Sequence, residues 1–323
     1  MRSAIFAIVL FIADSVLAET PAEHLGRQLF FDPRLSIDGS TSCASCHDPA
    51  RGFADGRQVA VGLIRNGVGK IGIRNTPTVL IAFKKPLQFL DGRSPTLESQ
   101  CLGPIANNVE MGQQTVGQVM QRLISIPGYR AEFISVFRRE LNQTDFGVAM
   151  AAFERTLDVG ASPLDRFLAG DDSAISESAR RGLVVATESG CFACHKPAND
   201  FRDGLFHNTG VATRSRAVNP DRGRAKIAPS EASSVRAFAT PSWSTAASTA
   251  PYMHNGSLST LRDVVEHYNA GGRFIRDGQV QVDTALDPRI KPLNLSEREK
   301  QDLVAMLESC QGTMPEVERP VLP

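Results

Sequence analysis

The sequence predicts a mostly α protein built from two helical units with long loops between their helices, and three observations carry that prediction. Apolar residues recur at helical spacing in several segments, strand signals are scarce, and the run Cys43-Ala44-Ser45-Cys46-His47 returns in the second half as Cys191-Phe192-Ala193-Cys194-His195. At 323 residues, with 42% hydrophobic and 22% charged residues, the chain is long enough for two cores, one around each copy. Lys plus Arg and Asp plus Glu balance at 35 each, so no net field points to nucleic acid or to a membrane surface. Partner choice then rests on local patches.

The order of residues in the repeated run has a chemical reason. In C-x-x-C-H the two thiols can add to the two vinyl groups of a haem, and the adjacent imidazole then lies under the iron as its proximal ligand. A zinc site wants four ligands grouped as two close pairs, whereas these pairs are far apart and each ends in His. A thioredoxin-like dithiol has no need of that His. The pattern therefore assigns Cys43, Cys46, Cys191 and Cys194 to two covalently bound c-type haems, and His47 and His195 to their irons. The expected units are two cytochrome c-like haem-binding helical domains.

Taken in order, the chain begins with Arg2, an apolar run over 4–12 and Val16-Leu17-Ala18, which reads as a signal peptide over 1–18. The run is too short for a permanent membrane span. A periplasmic location is expected, because thioether attachment takes place outside the cytoplasm in bacteria. Residues 23–31 read as an amphipathic helix and 48–70 as a long Gly-, Arg- and Asp-rich loop. Helical spacing follows over 115–124, 129–140 and 144–157, the last with Thr144 as its cap. Ser162-Pro163 interrupts the pattern, which sets domains at 19–162 and 163–323. A helix over 176–187 delivers the second motif, and 199–234 is a polar, basic excursion. Further helices are expected over 258–268, ended by Gly271-Gly272, and over 296–309, with Ser296 and Glu299 spaced as a capping box. Cys101 and Cys310, outside the motifs, read as free thiols.

An open iron permits chemistry, whereas a filled one mainly permits electron transfer, so the remaining ligands decide what each site can do. Beyond the two proximal residues the histidines are His24, His207, His254 and His267, so no imidazole lies between His47 and His195. The methionines of that interval are Met111, Met120 and Met150. The first haem is expected to be five-coordinate and open to a small oxidant. For the second, candidates cluster in 251–256 and in His267-Tyr268-Asn269. A non-catalytic electron carrier, with both irons six-coordinate, fits this count poorly.

The runs APYMHNGSL at 250–258, HYNAGG at 267–272, GIRNTPT at 72–78, DGR at 91–93 and VEM at 109–111 resemble the bacterial di-haem cytochrome c peroxidases and their relative MauG. The resemblance covers nearly the whole mature chain. It implies that H2O2 meets the N-terminal haem, with Glu110 and Gln100 lining the distal pocket. A carboxylate there can take a proton from one peroxide oxygen and return it to the other. The residues alone also allow Glu110 to be an acid at a helix start. The resemblance further implies Tyr268 as sixth ligand of the second haem, in MauG fashion, with His267 or Met253 as competitors. It implies a Ca²⁺ site on Asn75 and the carbonyls of Thr249 and Pro251, an all-oxygen set that suits this ion.

Some positions depart from the family pattern. Leu90 stands where a tryptophan usually precedes DGR, Ser189 stands where MauG has a second tryptophan, and Trp243-Ser244-Thr245 replaces Leu-Arg-Asn. The histidine that classical members place on the peroxidatic iron is missing, which implies activity without prior reduction. The expected function is reduction of H2O2 with electrons from a small soluble cytochrome c or a cupredoxin, entering through the second haem. The alternative is H2O2-dependent oxidation of side chains of a partner protein through a high-valent di-haem state. A homodimer stays compatible with either.

Overall fold

The computed structural model describes residues 18–323 apart from 66–67, 113–114, 212–220 and 277–278. All of the expected signal peptide except Ala18 lies outside the described residues.

In the first half, α1 (Pro21–Phe31) opens on a capping box between Thr20 and Glu23 with Pro21 at its first position. After two short helices, α2 (Leu97–Gln100) and α3 (Leu102–Ala106), come α4 (Val116–Ile124), α5 (Pro127–Phe137) and α6 (Gln143–Thr156). The second half holds α7 (Pro163–Leu168), α8 (Glu177–Glu188), α9 (Leu261–Asn269) and α10 (Glu297–Ser309). Three two-stranded antiparallel sheets accompany the helices: β1 (Val61–Arg65) with β2 (Val68–Ile71), β3 (Phe206–His207) with β4 (Phe238–Ala239), and β5 (Phe274–Arg276) with β6 (Gln279–Gln281). The architecture is mostly helical, as the apolar spacing predicts.

Several local expectations need correction. The 48–70 segment is not loop throughout, because it ends in the β1–β2 hairpin. The cap of α6 is Asn142, whose side chain accepts from the backbone N–H of Thr144 and Asp145, and not Thr144 itself. Helix α9 begins three residues later than its apolar spacing suggests, since Leu258 is held in a backbone bridge to Tyr252 and Thr260 with Asp263 forms the capping box. Ser162-Pro163 does not break a helix but starts one: Ser162 caps α7, and Pro163 occupies its first position, where a missing N–H costs nothing.

Two helix crossings position everything else. Helix α1 packs on α6 and α8 on α10, and a glycine sits at the contact in each pair. A Cβ on Gly26 would lie 2.0 Å from the carbonyl oxygen of Ala149, and one on Gly182 would lie 2.0 Å from that of Asp302. One apolar core draws on residues from Leu25 to Leu157 and the other on residues from Leu164 to Cys310. Cys101 belongs to the first and Cys310 to the second, both as free thiols.

The two halves are tied together in two ways. Beyond α10 the chain returns to the first half, where Met314 and Val317 pack on the first core and Pro323 O accepts a 3.0 Å bond from Arg34. On the other side, the Asp91-Gly92-Arg93 turn is clamped by the second half. Arg74 bridges Asp91 at 2.8 Å and Asp221 at 2.5 Å, and Arg224 donates to the carbonyls of Asp91 and Gly92 at 3.1 and 2.9 Å. Gly92 has φ +68°, and a Cβ there would run into the Phe206 ring. Among the described residues, no helix is long and apolar enough to cross a membrane.

Candidate functional site

Both C-x-x-C-H runs fold the same way. Each begins as a 3₁₀ turn, Cys43–Ser45 and Cys191–Ala193, and the N–H of the histidine closes onto the carbonyl of the first cysteine at 2.9 Å for His47 and 3.0 Å for His195. The match continues past the histidine. His47 Nδ1 lies 3.1 Å from Phe53 O, and His195 Nδ1 lies 3.0 Å from Phe201 O. Donating to a carbonyl fixes the tautomer and leaves Nε2 unprotonated for a metal. To aim these carbonyls, both phenylalanines take left-handed backbone angles, φ 56° and 55°, at roughly 1–2 kcal/mol each. Burial lowers the pKa of both imidazoles, to about 4 for His195, which keeps them neutral as iron ligation requires. The signal was present in the sequence, since His-x-Pro-Ala-x-x-Phe-x-Asp occurs at 47–55 and again at 195–203.

His47, Cys43 and Cys46 open onto a cavity of about 640 Å³, inside the range of roughly 300–1,000 Å³ usual for sites of this kind. Its wall also carries Gln100, at the end of α2, and Glu110. Glu110 is not at a helix start, since α4 begins six residues later at Val116; it sits in a turn organised by Asn107. The backbone of this turn is gripped by β1: Leu63 N–H reaches the carbonyls of Val109 and Glu110 at 3.1 and 2.9 Å, and Gly62 leaves the clearance, a Cβ there falling 2.1 Å from Val109 O. Burial raises the Glu110 pKa, opposed by Arg93 and by the Asn107 amide. His47 is the one histidine among the residues lining this cavity, and Met111 and Met150 are the methionines there.

At the second site, the ring of Trp243 stacks on that of His195 with centroids 4.5 Å apart and is flanked by Phe192 and Phe201. The single tryptophan therefore packs behind the proximal ligand. Tyr268, on α9, has its phenol pKa raised by burial and then by its neighbours Cys191 and Cys194, which places it beside the motif. His267 Nε2 is engaged by the carbonyl of Thr209 at 2.7 Å. Met253 lies in the same 250–258 loop with φ 72°. Among the described residues, one group of Cys, Asp and His lies close enough to hold a metal, Cys194 with Asp203 and His207, and its sulfur is one that the haem motif claims.

Between the sites, Leu90 lines the first cavity while its carbonyl accepts from Ala239 N–H at 2.9 Å. Phe238 stacks on His254 with centroids 3.9 Å apart, and the Arg74 guanidinium lies over the Phe238 ring at 5.2 Å. Asn75 also bridges the halves: its N–H donates to His254 O and its side-chain amide to Arg57 O, both at 2.8 Å. Thr249 and Pro251 belong to the same loop, on either side of the cis Ala250–Pro251 bond. Ser189 is the C-cap of α8.

Each motif thus presents two thiols and a neutral imidazole pinned at Nδ1, a donor set that fits a covalently held haem and no four-ligand zinc site. Comparison with known proteins agrees. Residues 20–173 match the di-haem cytochrome c peroxidase family. The chain is 39% identical over 303 residues to the methylamine utilization protein MauG of Methylorubrum extorquens, covering 93% of this chain and 80% of that one. It is 36% identical over 305 residues to the cytochrome c551 peroxidase of Pseudomonas aeruginosa, covering 93% and 81%. A crystal structure of a MauG-like protein associated with microbial copper homeostasis superposes with a TM-score of 0.78 at 29% identity, covering 90% of this chain and 89% of the other. The repeated turn, the open carboxylate-bearing cavity and these likenesses lead to one conclusion: the chain belongs to the di-haem cytochrome c peroxidase family, MauG included, and carries two c-type haems.

Proposed function

We propose that this protein is a periplasmic peroxidase that reduces H2O2 to two waters at the first site, using two protons and two electrons that enter through the second. The observation that carries the proposal is Glu110, a half-buried carboxyl in the same cavity as His47, with no second imidazole in that wall. Haem bound there supplies the iron at which peroxide is activated. Glu110 takes the proton from the near oxygen of H2O2 and delivers it to the departing one, while Gln100 orients the peroxide. Tyr268 would hold the iron of the second haem, a role supported by its place beside Cys191 and Cys194. Domains over 19–162 and 163–323 each wrap one haem, after removal of a signal peptide. Ca²⁺ on Asn75, Thr249 and Pro251 stiffens the loop that joins them. Electrons come from a small soluble cytochrome c or a cupredoxin.

A second reading, H2O2-dependent oxidation of a partner protein, is favoured by Tyr268 and by the likeness to proteins named MauG. The all-ferric holoprotein separates the two. Mixing it with H2O2 should change its spectrum without prior reduction, and an unchanged spectrum sinks both readings. Catalytic oxidation of a reduced small cytochrome then supports the peroxidase; a long-lived oxidised protein that ignores such donors supports the rival.

A further inference from the structure

The wall of the first cavity holds two ionisable side chains that the peroxide chemistry does not use. Lys85 follows a short 3₁₀ turn, Ala82–Lys84, and Glu154 lies on α6. Their surroundings differ from those of every other charged group in the wall. Arg74 and Arg93 both pair with Asp91, Lys226 pairs with Asp221, and Glu110 takes the Asn107 amide. Even the neighbouring Lys84 is satisfied, by Asp158 at 2.9 Å and Asp200 at 3.3 Å. The side chains of Lys85 and Glu154 make no hydrogen bond or ion pair among the described residues; Lys85 is half-buried, and Glu154 Oε2 is buried without a partner on a residue only 4% exposed.

The two are also close enough to feel each other's charge, yet form no ion pair within 4.0 Å. An opposite-charge pair that stays apart in one wall leaves room for a third polar group. We propose that Lys85 and Glu154 together hold a propionate of the first haem, the ammonium as its counter-cation and the protonated carboxyl as a hydrogen-bond donor. This rests on the haem assignment of the first motif. The donor count matches: an ammonium and a carboxylic acid both donate, and an ionised carboxylate only accepts. The electrostatics run the same way. Burial brings Lys85 down to about 8 and Glu154 up to about 7, and a carboxylate between them raises both, which keeps the lysine charged and the glutamate neutral at pH 7.

The test is a spectroelectrochemical titration of the first haem in the holoprotein, after pyridine haemochrome has shown two haems per chain. Fewer than two in the wild type defeats the haem assignment itself and is read separately. Removing the cation in Lys85→Met should shift the ferric/ferrous equilibrium of the first haem about tenfold toward ferric, and Lys85→Arg should stay within about twofold of wild type. Glu154→Gln, which keeps a donor, should leave the equilibrium near wild type. If Lys85→Met does not mature, Lys85→Gln gives the same readout. Infrared difference spectra of wild type against Glu154→Gln should show a protonated carboxyl at pH 7. An unmoved equilibrium in the lysine variants overturns the proposal, as does an ionised Glu154. Unmoved equilibrium with altered cyanide affinity would also overturn it, by placing the ammonium at the open face of the iron.

Discussion

The Asn107 amide donates a 2.7 Å hydrogen bond to Glu110 Oε1. That bond favours the ionised carboxylate, while burial favours the neutral acid, and the balance leaves the Glu110 pKa raised. The base form is the one that accepts a proton from peroxide. The stopped-flow rate of the peroxide reaction should therefore rise with pH through this raised value and level off above it. Asn107→Ala removes a lowering contribution and should move the inflection to higher pH, and an inflection that stays in place would separate the rate from Glu110.

Glu110→Gln keeps the size and polarity of the side chain but removes the base. The peroxide reaction should slow by roughly 10²–10⁴-fold. Haem content by pyridine haemochrome should not change, because the turn that carries Glu110 is held by Leu63 through backbone contacts.

At the second site the ligand candidates are Tyr268 and His267, adjacent on α9, and Met253 in the 250–258 loop. Tyr268→Phe should alter the ferric electronic and electron paramagnetic resonance spectra of the second haem. His267→Gln should leave them alone, since His267 Nε2 is engaged by Thr209 O. The reverse pattern would make histidine the ligand.

The glycines at the helix crossings yield a stability prediction with an internal control. Gly26→Ala and Gly182→Ala each drive a methyl into a backbone carbonyl and should destabilise by at least about 1–3 kcal/mol, read from denaturant midpoints of the holoprotein. Gly117→Ala, at an exposed position of α4 where a Cβ would meet only Thr115 Oγ1 at 4.0 Å, should instead gain about 0.5–1 kcal/mol.

Chelation offers a check on the joining loop. Wild type stripped with a calcium chelator should regain thermal stability on adding Ca²⁺, as binding to the native state requires. Asn75→Ala should lose that response, and equal responses in both would remove Asn75 from the ion.

Most of the helical framework was legible in the sequence because it is written in local signals. Ser176, Thr115, Ser296 with Glu299, and the apolar faces of α1 and α8 all act within a turn or two of themselves. What local signals did not show was set at long range. The β1–β2 hairpin hides in a Gly-rich stretch because its role is to let Gly62 approach the Glu110 turn, 48 residues on. Lys85 and Glu154 look like an ordinary surface lysine and helix acid, and only the cavity whose wall they share gives them a common purpose. Glu110 and Gln100 were named from resemblance, and the shared cavity brings them together.

The proximal turn, repeated down to the left-handed Phe53 and Phe201, separates what the two sites share from what they do not. The cysteines that attach the haem, the proximal histidine and the carbonyl that orients it lie within thirteen residues of contiguous chain, 43–55 and 191–203, so they could be copied as one piece of gene. The residues proposed to make the sites unequal, Glu110 for one and Tyr268 for the other, come from distant segments that mutate independently. A lineage starting from two identical domains could thus turn one into a reaction centre and the other into a wire by changing remote loops alone, never risking the attachment that both depend on.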